Sequence, residues 1–156
     1  MKFLFPALRV SDLDTSLAFY TSVGWEVVGQ VTGDAGIRMT MLAWPWDDEV
    51  SLELVESTDA GPVDPGGFDH LAIQVEDLEA TRRGLAAAGL DVGTVETPGG
   101  RDGPRTVAVI DPDGYRLELV QWPAGHPVAM TRHDFDPVVP RRAEAPSATP
   151  RKRAQR

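Results

Sequence analysis

The chain has 156 residues, a net charge of -9 and 42% hydrophobic residues, which suits one globular domain. It has no cysteine, so disulfides, thiolate nucleophiles and thiolate metal sites are excluded, and a metal would need His, Asp, Glu or water as ligands. Its apolar runs are shorter than the roughly 20 residues of a membrane span, and the N-terminal segment lacks the features of a signal peptide. We therefore expect a cytoplasmic protein without a membrane partner.

The charge is unevenly distributed along the chain. Of 15 Lys/Arg and 24 Asp/Glu residues, six bases and one acid lie in 141–156, which leaves nine bases, 23 acids and a net charge of -14 in 1–140. A body this acidic repels nucleic acid and favours cationic ligands. Residues 127–156 are rich in Pro, Ala and Arg and are predicted to form an extended, disordered basic tail after a single domain over 1–126.

The predicted elements of the first half run in the order strand, helix and three strands. An alternating segment over 3–10 predicts the first strand, and the helical spacing of apolar residues from Leu13 to Tyr20 predicts a helix that ends at Gly24. Turn sequences such as PWDDE separate the strands that follow. This β-α-β-β-β module spans 3–57. Its last three strands are predicted near 25–31, 37–44 and 50–56.

The second half repeats this pattern at an offset of 65 residues. The tetrapeptide LELV occurs at 52–55 and at 117–120, and the same ungapped offset aligns ALRVSDLD with AIQVEDLE. The second module therefore spans 69–122, with a helix that ends at Gly89. Its strands are predicted over 69–75, 90–96, 104–110 and 115–121. Because two helices cannot cover both faces of eight strands, we expect an α+β fold whose sheet curls around a concave site with the helices outside.

Strand alternation predicts which residues face the concave site. In both LELV copies the leucines form the apolar set that should face the helices, which turns Glu53 and Glu118 inward. Alternation in the opening strands places Phe5 and His70 on the same inner face. Two carboxylates and an imidazole on one surface indicate a divalent cation site, with a metal-free polar pocket as the alternative. The other residues assigned to the pocket are Ala7, Arg9, Trp44, Gln74 and Arg116.

One further candidate histidine lies outside the predicted strands. His126 follows the last strand directly and is a secondary candidate, because the segment around it would have to fold back towards the sheet. The prolines on either side of His126 favour an extended path instead. We therefore predict a metal site formed by Glu53, His70 and Glu118, with His126 as a lower-ranked fourth member.

The doubled β-α-β-β-β unit, with candidate ligands on the first and last strands of its copies, resembles the vicinal oxygen chelate superfamily. Its members include glyoxalase I, bleomycin-resistance proteins and extradiol dioxygenases. LRVSDLDTSLAFYTSVGWEVV is similar to the opening of glyoxalase I, and DPDGYRLELVQ is similar to its closing strand. The resemblance covers residues 3 to 121. It implies two tandem modules in a curled eight-stranded half-barrel, and a homodimer.

By this resemblance Glu53, His70 and Glu118 occupy three of four metal-ligand positions, and Phe5 occupies the fourth. Phenylalanine cannot coordinate a metal, so the two-histidine, one-carboxylate iron site of the dioxygenases is incomplete, which argues against oxygenase chemistry. Three protein ligands plus water or substrate oxygens still suit Zn²⁺, Ni²⁺, Co²⁺ or Mn²⁺.

The resemblance implies a metal-dependent lyase or isomerase of glyoxalase type. The metal would chelate adjacent oxygens of a small substrate such as a 2-oxoaldehyde hemithioacetal and stabilise its enediolate, while Glu53 or Glu118 moves the proton between carbons. The alternative is a metal-free protein that sequesters a cationic drug, as bleomycin-resistance proteins do. Phe5 at a ligand position and the acidic body favour that alternative. Either function predicts a small-molecule partner.

Overall fold

The computed structural model describes residues 1–33, 36–58, 61–98 and 100–126. The predicted basic tail over 127–156 lies outside the described residues. None of the helices in the described ranges is long and apolar enough to cross a membrane. The elements are β1 (Ala7–Val10), α1 (Leu13–Val23), β2 (Glu26–Thr32), β3 (Arg38–Ala43), β4 (Leu52–Glu56), β5 (Leu71–Gln74), α2 (Leu78–Ala87), β6 (Arg105–Ile110) and β7 (Arg116–Gln121).

The strands form two sheets, one for each module. The first has the order β1-β4-β3-β2 and the second the order β5-β7-β6. In each module the opening strand runs parallel to the closing strand, which pairs antiparallel with the strand before it. The prediction of an α+β fold with two tandem modules is therefore confirmed. Because β1 and β5 both lie at sheet edges, neither sheet is closed into a barrel.

The predicted strand over 90–96 differs from its counterpart β2. Its pairing with β6 is limited to two isolated bridges, between Val92 and Val109 and between Glu96 and Thr106. Between the bridges, the Gly93 N–H donates to the carbonyl of Ala108 at 3.0 Å. A Cβ built on Gly93 would lie 3.1 Å from that carbonyl oxygen, so the close approach favours glycine and leaves no side chain to pack there.

The repeat offset is not constant through the module. Glu53 pairs with Ala7 and Glu118 with Ala72, which keeps the predicted offset of 65 for the opening and closing strands. On the other side Met41 pairs with Glu53 but Ala108 pairs with Glu118, so the counterparts on β3 and β6 are 67 residues apart. The single ungapped register was wrong here, because the β6–β7 hairpin is two residues shorter than the β3–β4 hairpin.

Equivalent residues begin and end the two helices. Asp12 accepts a hydrogen bond from the Thr15 N–H, and Asp77 accepts one from the Ala80 N–H, each at 2.9 Å. Gly24 and Gly89, which follow the helices, have φ values of 127° and 87°. L-residues with side chains rarely adopt such angles, so the prediction that these glycines terminate the helices is confirmed.

A second acceptor at each helix start comes from the end of the closing strand. The Leu13 N–H donates to Glu56 Oε1 at 2.9 Å, and the Leu78 N–H donates to Gln121 Oε1 at 3.1 Å. Glu56 and Gln121 are 65 residues apart and end β4 and β7. Each closing strand thus holds the first turn of its own module's helix, but only the first module does so with a charge. This charge also receives a hydrogen bond from Arg38 Nε at 2.7 Å.

Replacing Glu56 with glutamine should test how much the charge of this carboxylate contributes to the free energy of unfolding. The Leu13 N–H and, to a lesser degree, Arg38 hold the pKa of Glu56 below its usual value of 4.5. A lowered carboxyl pKa adds stability above the unfolded-state pKa, and that stability is lost as the pH falls through the folded-state pKa. We expect E56Q to lower the free energy of unfolding by about 0.5–1 kcal/mol at pH 7. In urea unfolding the difference from wild type should shrink below pH 4.5. The exposed control E26Q should show neither effect.

The strand leucines face the helices, as the alternation predicts. Leu52, Leu54 and Leu117 are 0% exposed and Leu119 is 1% exposed. They join residues of both modules in a single hydrophobic core. The carboxylates between them, Glu53 and Glu118, are consequently turned away from this core and are half-buried on the opposite sheet faces.

A buried polar contact links the two modules through this core. Tyr20 of α1 donates a hydrogen bond to Asp111 Oδ2 at 2.9 Å, and both side chains are almost inaccessible to solvent. The other oxygen of Asp111 accepts from the N–H groups of Asp113 and Tyr115 in the β6–β7 turn. Burial raises the pKa of Asp111 and the pKa of Tyr20. Asp111 therefore both forms the β6–β7 turn and anchors α1 against it.

Candidate functional site

His70 and Glu118 are brought together by the parallel pairing of β5 and β7. Ala72 pairs with Glu118, and His70 lies two residues earlier on the same sheet face, just before β5 begins. The distance from His70 Nε2 to Glu118 Oε2 is 3.5 Å. Their side chains are 33% and 19% exposed, so the pair lies at the surface of the second sheet and is open to a ligand.

Two further charged groups surround this pair. His70 Nδ1 lies 2.6 Å from Asp69 Oδ1, and Arg116 donates a hydrogen bond to Glu118 Oε1 at 3.1 Å. Arg116 also lies 3.9 Å from Asp69 Oδ1. The hydrogen bond from His70 is the main cause that lowers the pKa of Asp69. Arg116 was predicted to line the pocket, whereas Asp69 was not predicted, although a carboxylate directly before a candidate histidine ligand was a usable signal.

Glu53 has a different environment on the first sheet. It lies on β4 between Ala7 of β1 and Met41 of β3. Its carboxylate forms no hydrogen bond or ion pair with any residue that the structure describes. Met39 shares the face of Met41 by strand alternation and lies opposite Val55. The apolar surface that Met39 and Met41 form beside Glu53 was not predicted, although the alternation in RMTMLA indicates it.

His70 and Glu118 are spaced correctly for two ligands of one metal ion. Two ligand atoms about 2.0–2.2 Å from an ion in tetrahedral arrangement lie about 3.3–3.6 Å apart. The observed separation of 3.5 Å falls in that range. Glu53 does not join them, because the described part of the chain contains no cluster of three or more His, Asp or Glu side chains that could hold an ion. The donor set therefore fits a metal as a two-ligand half-site, with Glu53 separate from it.

The remaining predicted site residues differ in exposure and in contacts. Phe5 is half-buried just before β1, while Ala7 and Gln74 are exposed. The Arg9 guanidinium donates to the backbone carbonyl of Pro62. Trp44 packs against the hydrophobic core. Its ring stacks on Trp25 with a centroid separation of 4.1 Å and on Trp46 with a separation of 5.7 Å.

His126, the lower-ranked fourth ligand, stacks on an aromatic ring. Its imidazole is 4.3 Å from the Trp122 ring centre, with only 11° between the two planes. It belongs to no potential metal cluster of three among the described residues. His126 as a metal ligand remains a prediction that this conformation does not support.

The fold and this arrangement can be compared with known proteins. The family model of the Glyoxalase/Bleomycin resistance protein/Dioxygenase superfamily matches residues 2–119. The chain belongs to this superfamily. The resemblance noted in the opening and closing segments is thereby confirmed across both modules.

Individual members of the superfamily differ in what they do. The chain is 31% identical to a lactoylglutathione lyase of Haemophilus influenzae over 78% of this chain and 93% of the relative. The trypanothione-dependent glyoxalase I of Leishmania major shares 26% identity, with a TM-score of 0.63 over 78% of this chain and 86% of that one. TnmS3, an antibiotic-binding protein of a Streptomyces species, shares 25% identity, with a TM-score of 0.62 over 79% of this chain and 98% of that one. One enzyme and one antibiotic-binding protein are thus nearly equal in structural similarity to this chain.

Proposed function

We propose that this protein is a metal-dependent lyase of glyoxalase type that acts on a small substrate with adjacent oxygens, such as a 2-oxoaldehyde hemithioacetal. The observation that carries the proposal is the 3.5 Å separation of His70 Nε2 and Glu118 Oε2, which suits two ligands of one ion. The similarity to lactoylglutathione lyases at 31% identity supports the same activity. Zn²⁺, Ni²⁺, Co²⁺ and Mn²⁺ all accept this combination of nitrogen and oxygen ligands.

The complete site is proposed to form in a homodimer. Glu53 is separate from the half-site formed by His70 and Glu118. The strands β1, beside Glu53, and β5, beside Glu118, are both edge strands in the described sheets. An edge strand presents unpaired backbone groups that a second chain can approach. If β1 of one copy lies beside β5 of another, Glu53 of the first copy completes the half-site of the second. Two equivalent sites then form in one symmetric dimer.

Different residues of the chain would bind the metal, transfer the proton and contact the substrate. His70, Glu118 and Glu53 would hold the ion, which supplies a Lewis acid for the adjacent substrate oxygens. A carboxylate at this position can remove the proton from one substrate carbon and return it to the next, so that no redox cofactor is needed. Glu53 and Glu118 would approach the substrate from opposite sheets. Met39 and Met41 beside Glu53 would contact the apolar part of the substrate.

Metal loading provides the test of this function. Metal-stripped protein should retain close to one ion per site after dialysis against Zn²⁺, Ni²⁺, Co²⁺ or Mn²⁺, and H70A should lower the affinity at least about 100-fold, since it removes a ligand. The loaded protein should isomerise methylglyoxal hemithioacetals of at least one thiol. The exposed control D91A should retain metal and activity. Wild-type protein that retains no metal, or affinity unchanged in H70A, contradicts the proposal.

Binding of an organic cation is the second candidate function. An open groove of about 410 Å³ between the N-terminal segment and the β3–β4 hairpin combines apolar Phe3 and Leu4 with acidic Asp47 and Asp48. Such a lining suits a cation with an apolar body, and Phe5 at a ligand position agrees with a metal-free protein. Calorimetric titration with a cationic glycopeptide antibiotic separates the candidates. Micromolar binding by metal-free protein, together with no metal retention, would establish the second function in place of the first.

A further inference from the structure

We propose that Asp69 and Arg116 are positioning residues that hold His70 and Glu118 in the geometry required for an ion. This inference rests on the proposed metal-dependent function. It assigns roles to two side chains that would not contact the ion or the substrate carbon. The four residues form a closed ring of contacts in which each charged group touches two others.

Asp69 determines which nitrogen of His70 is available. An ionised carboxylate can only accept hydrogen bonds, so the 2.6 Å contact requires a proton on Nδ1 of the imidazole. In the neutral ring the lone pair is then on Nε2, which faces Glu118 Oε2 at 3.5 Å. Two electron-pair donors that face each other at this distance are stabilised by a cation between them. A carboxylate behind a ligating histidine is the usual means of fixing its tautomer.

Arg116 orients the opposite side of the ring. Its guanidinium contacts Glu118 Oε1 at 3.1 Å and Asp69 Oδ1 at 3.9 Å. Because Arg116 engages one oxygen of Glu118, the other oxygen is left facing His70. The rigid planar fork of arginine holds two carboxylates in a defined relation, whereas the point charge of a lysine does not.

The first module lacks this ring. At the 65-residue offset, Leu4, Phe5 and Ser51 stand in the places of Asp69, His70 and Arg116, and only Glu53 remains as the counterpart of Glu118. The contacts by which Asp69 and Arg116 position the two ligands are therefore confined to the second module. The closing strand of the first module supplies a carboxylate without any fixed partner among the described residues.

The tautomer of His70 is the direct test for Asp69. In metal-free wild-type protein, ¹⁵N NMR of the neutral imidazole should show the proton on Nδ1. In D69A it should move largely to Nε2, and Zn²⁺ affinity measured by chelator competition should fall about 10- to 100-fold. D69N, whose amide oxygen still accepts, should be intermediate. The exposed control D91A should match wild type in both measurements. An unchanged tautomer in D69A, or an affinity loss of equal size in D91A, overturns the assignment.

A charge-conserving substitution tests Arg116. R116K keeps the positive charge but loses the fork, so Zn²⁺ affinity should fall about tenfold while the His70 tautomer stays as in wild type. The exposed control R101K should leave the Zn²⁺ affinity unchanged. Affinity in R116K equal to that of wild type contradicts the role of Arg116. If wild type binds no Zn²⁺ but the tautomer still depends on Asp69, the metal function fails while the positioning of His70 by Asp69 stands.

Discussion

An equimolar mixture of E53Q and E118Q variants, unfolded and refolded together, is expected to recover about a quarter of wild-type lyase activity. The lyase activity of each variant alone should be about 10²- to 10⁴-fold lower than that of wild type, because each variant lacks a carboxylate that binds the ion or moves the proton. In the proposed dimer every site takes Glu53 from one copy and His70 with Glu118 from the other. A mixed dimer therefore has one site with both glutamates intact, and random pairing makes half of the dimers mixed.

The control for this experiment is a mixture of H70A and E118Q. Both substitutions damage the same half-site, so no combination of the two chains restores a complete site. Wild-type protein taken through the same unfolding and refolding measures the recovery of the procedure itself. Full recovery of wild type with no recovery in the mixture of E53Q and E118Q would show that each site is complete within one chain. Gel filtration of every sample should show the same dimer.

The second large effect is expected at the buried link between the modules. Replacing Asp111 with alanine removes the acceptor for Tyr20 and for two backbone N–H groups in a place that water does not reach. We expect a loss of about 3–5 kcal/mol in the free energy of unfolding, because each buried donor without a partner costs about 1–3 kcal/mol. Urea unfolding followed by tryptophan fluorescence measures the loss.

Milder substitutions keep this prediction testable if D111A does not fold. D111N keeps an acceptor for the turn, so its free energy of unfolding should fall less than that of D111A. Y20F should lose about 1–2 kcal/mol, since it removes only the hydroxyl donor. Asp113 provides the matched control, because it accepts from the exposed Ser11 N–H and, at a longer 3.4 Å, from the Ser16 hydroxyl, and D113A should cost about 1 kcal/mol. A loss in D111A no larger than in D113A would contradict a structural role for the buried contact.

Alternation and repetition predicted much of the fold because they depend on local rules. The leucines of both LELV copies had to face the helices, so the faces of Glu53 and Glu118 followed directly. The helix ends were also predictable, since Asp12, Asp77 and the two glycines each act within one turn of chain. The two-residue change of register at β6 was not predictable by an ungapped alignment, because the shorter β6–β7 hairpin is compensated by two extra residues between α2 and β6, so the closing strands return to the offset of 65.

The relation between the two half-sites could not be derived in this way. Alternation assigns a face to a residue but says nothing about the distance between two sheets, so Glu53 was predicted to join His70 and Glu118 although they form no joint cluster in the described part of the chain. Asp69 was missed for a related reason. In the predicted strand over 69–75, alternation turned Asp69 away from the face of His70, so its contact with the His70 side chain did not follow from that pattern.

The pair formed by Glu56 and Gln121 has a consequence for how the two modules could be redesigned. One helix N–H is received by a carboxylate and its counterpart by a neutral amide, in the same geometry. The duplicated architecture therefore demands an oxygen of suitable reach at the end of each closing strand, and it leaves the formal charge free to vary. Reversing the two identities, or making them alike, should change the electrostatic field of each module without altering its backbone.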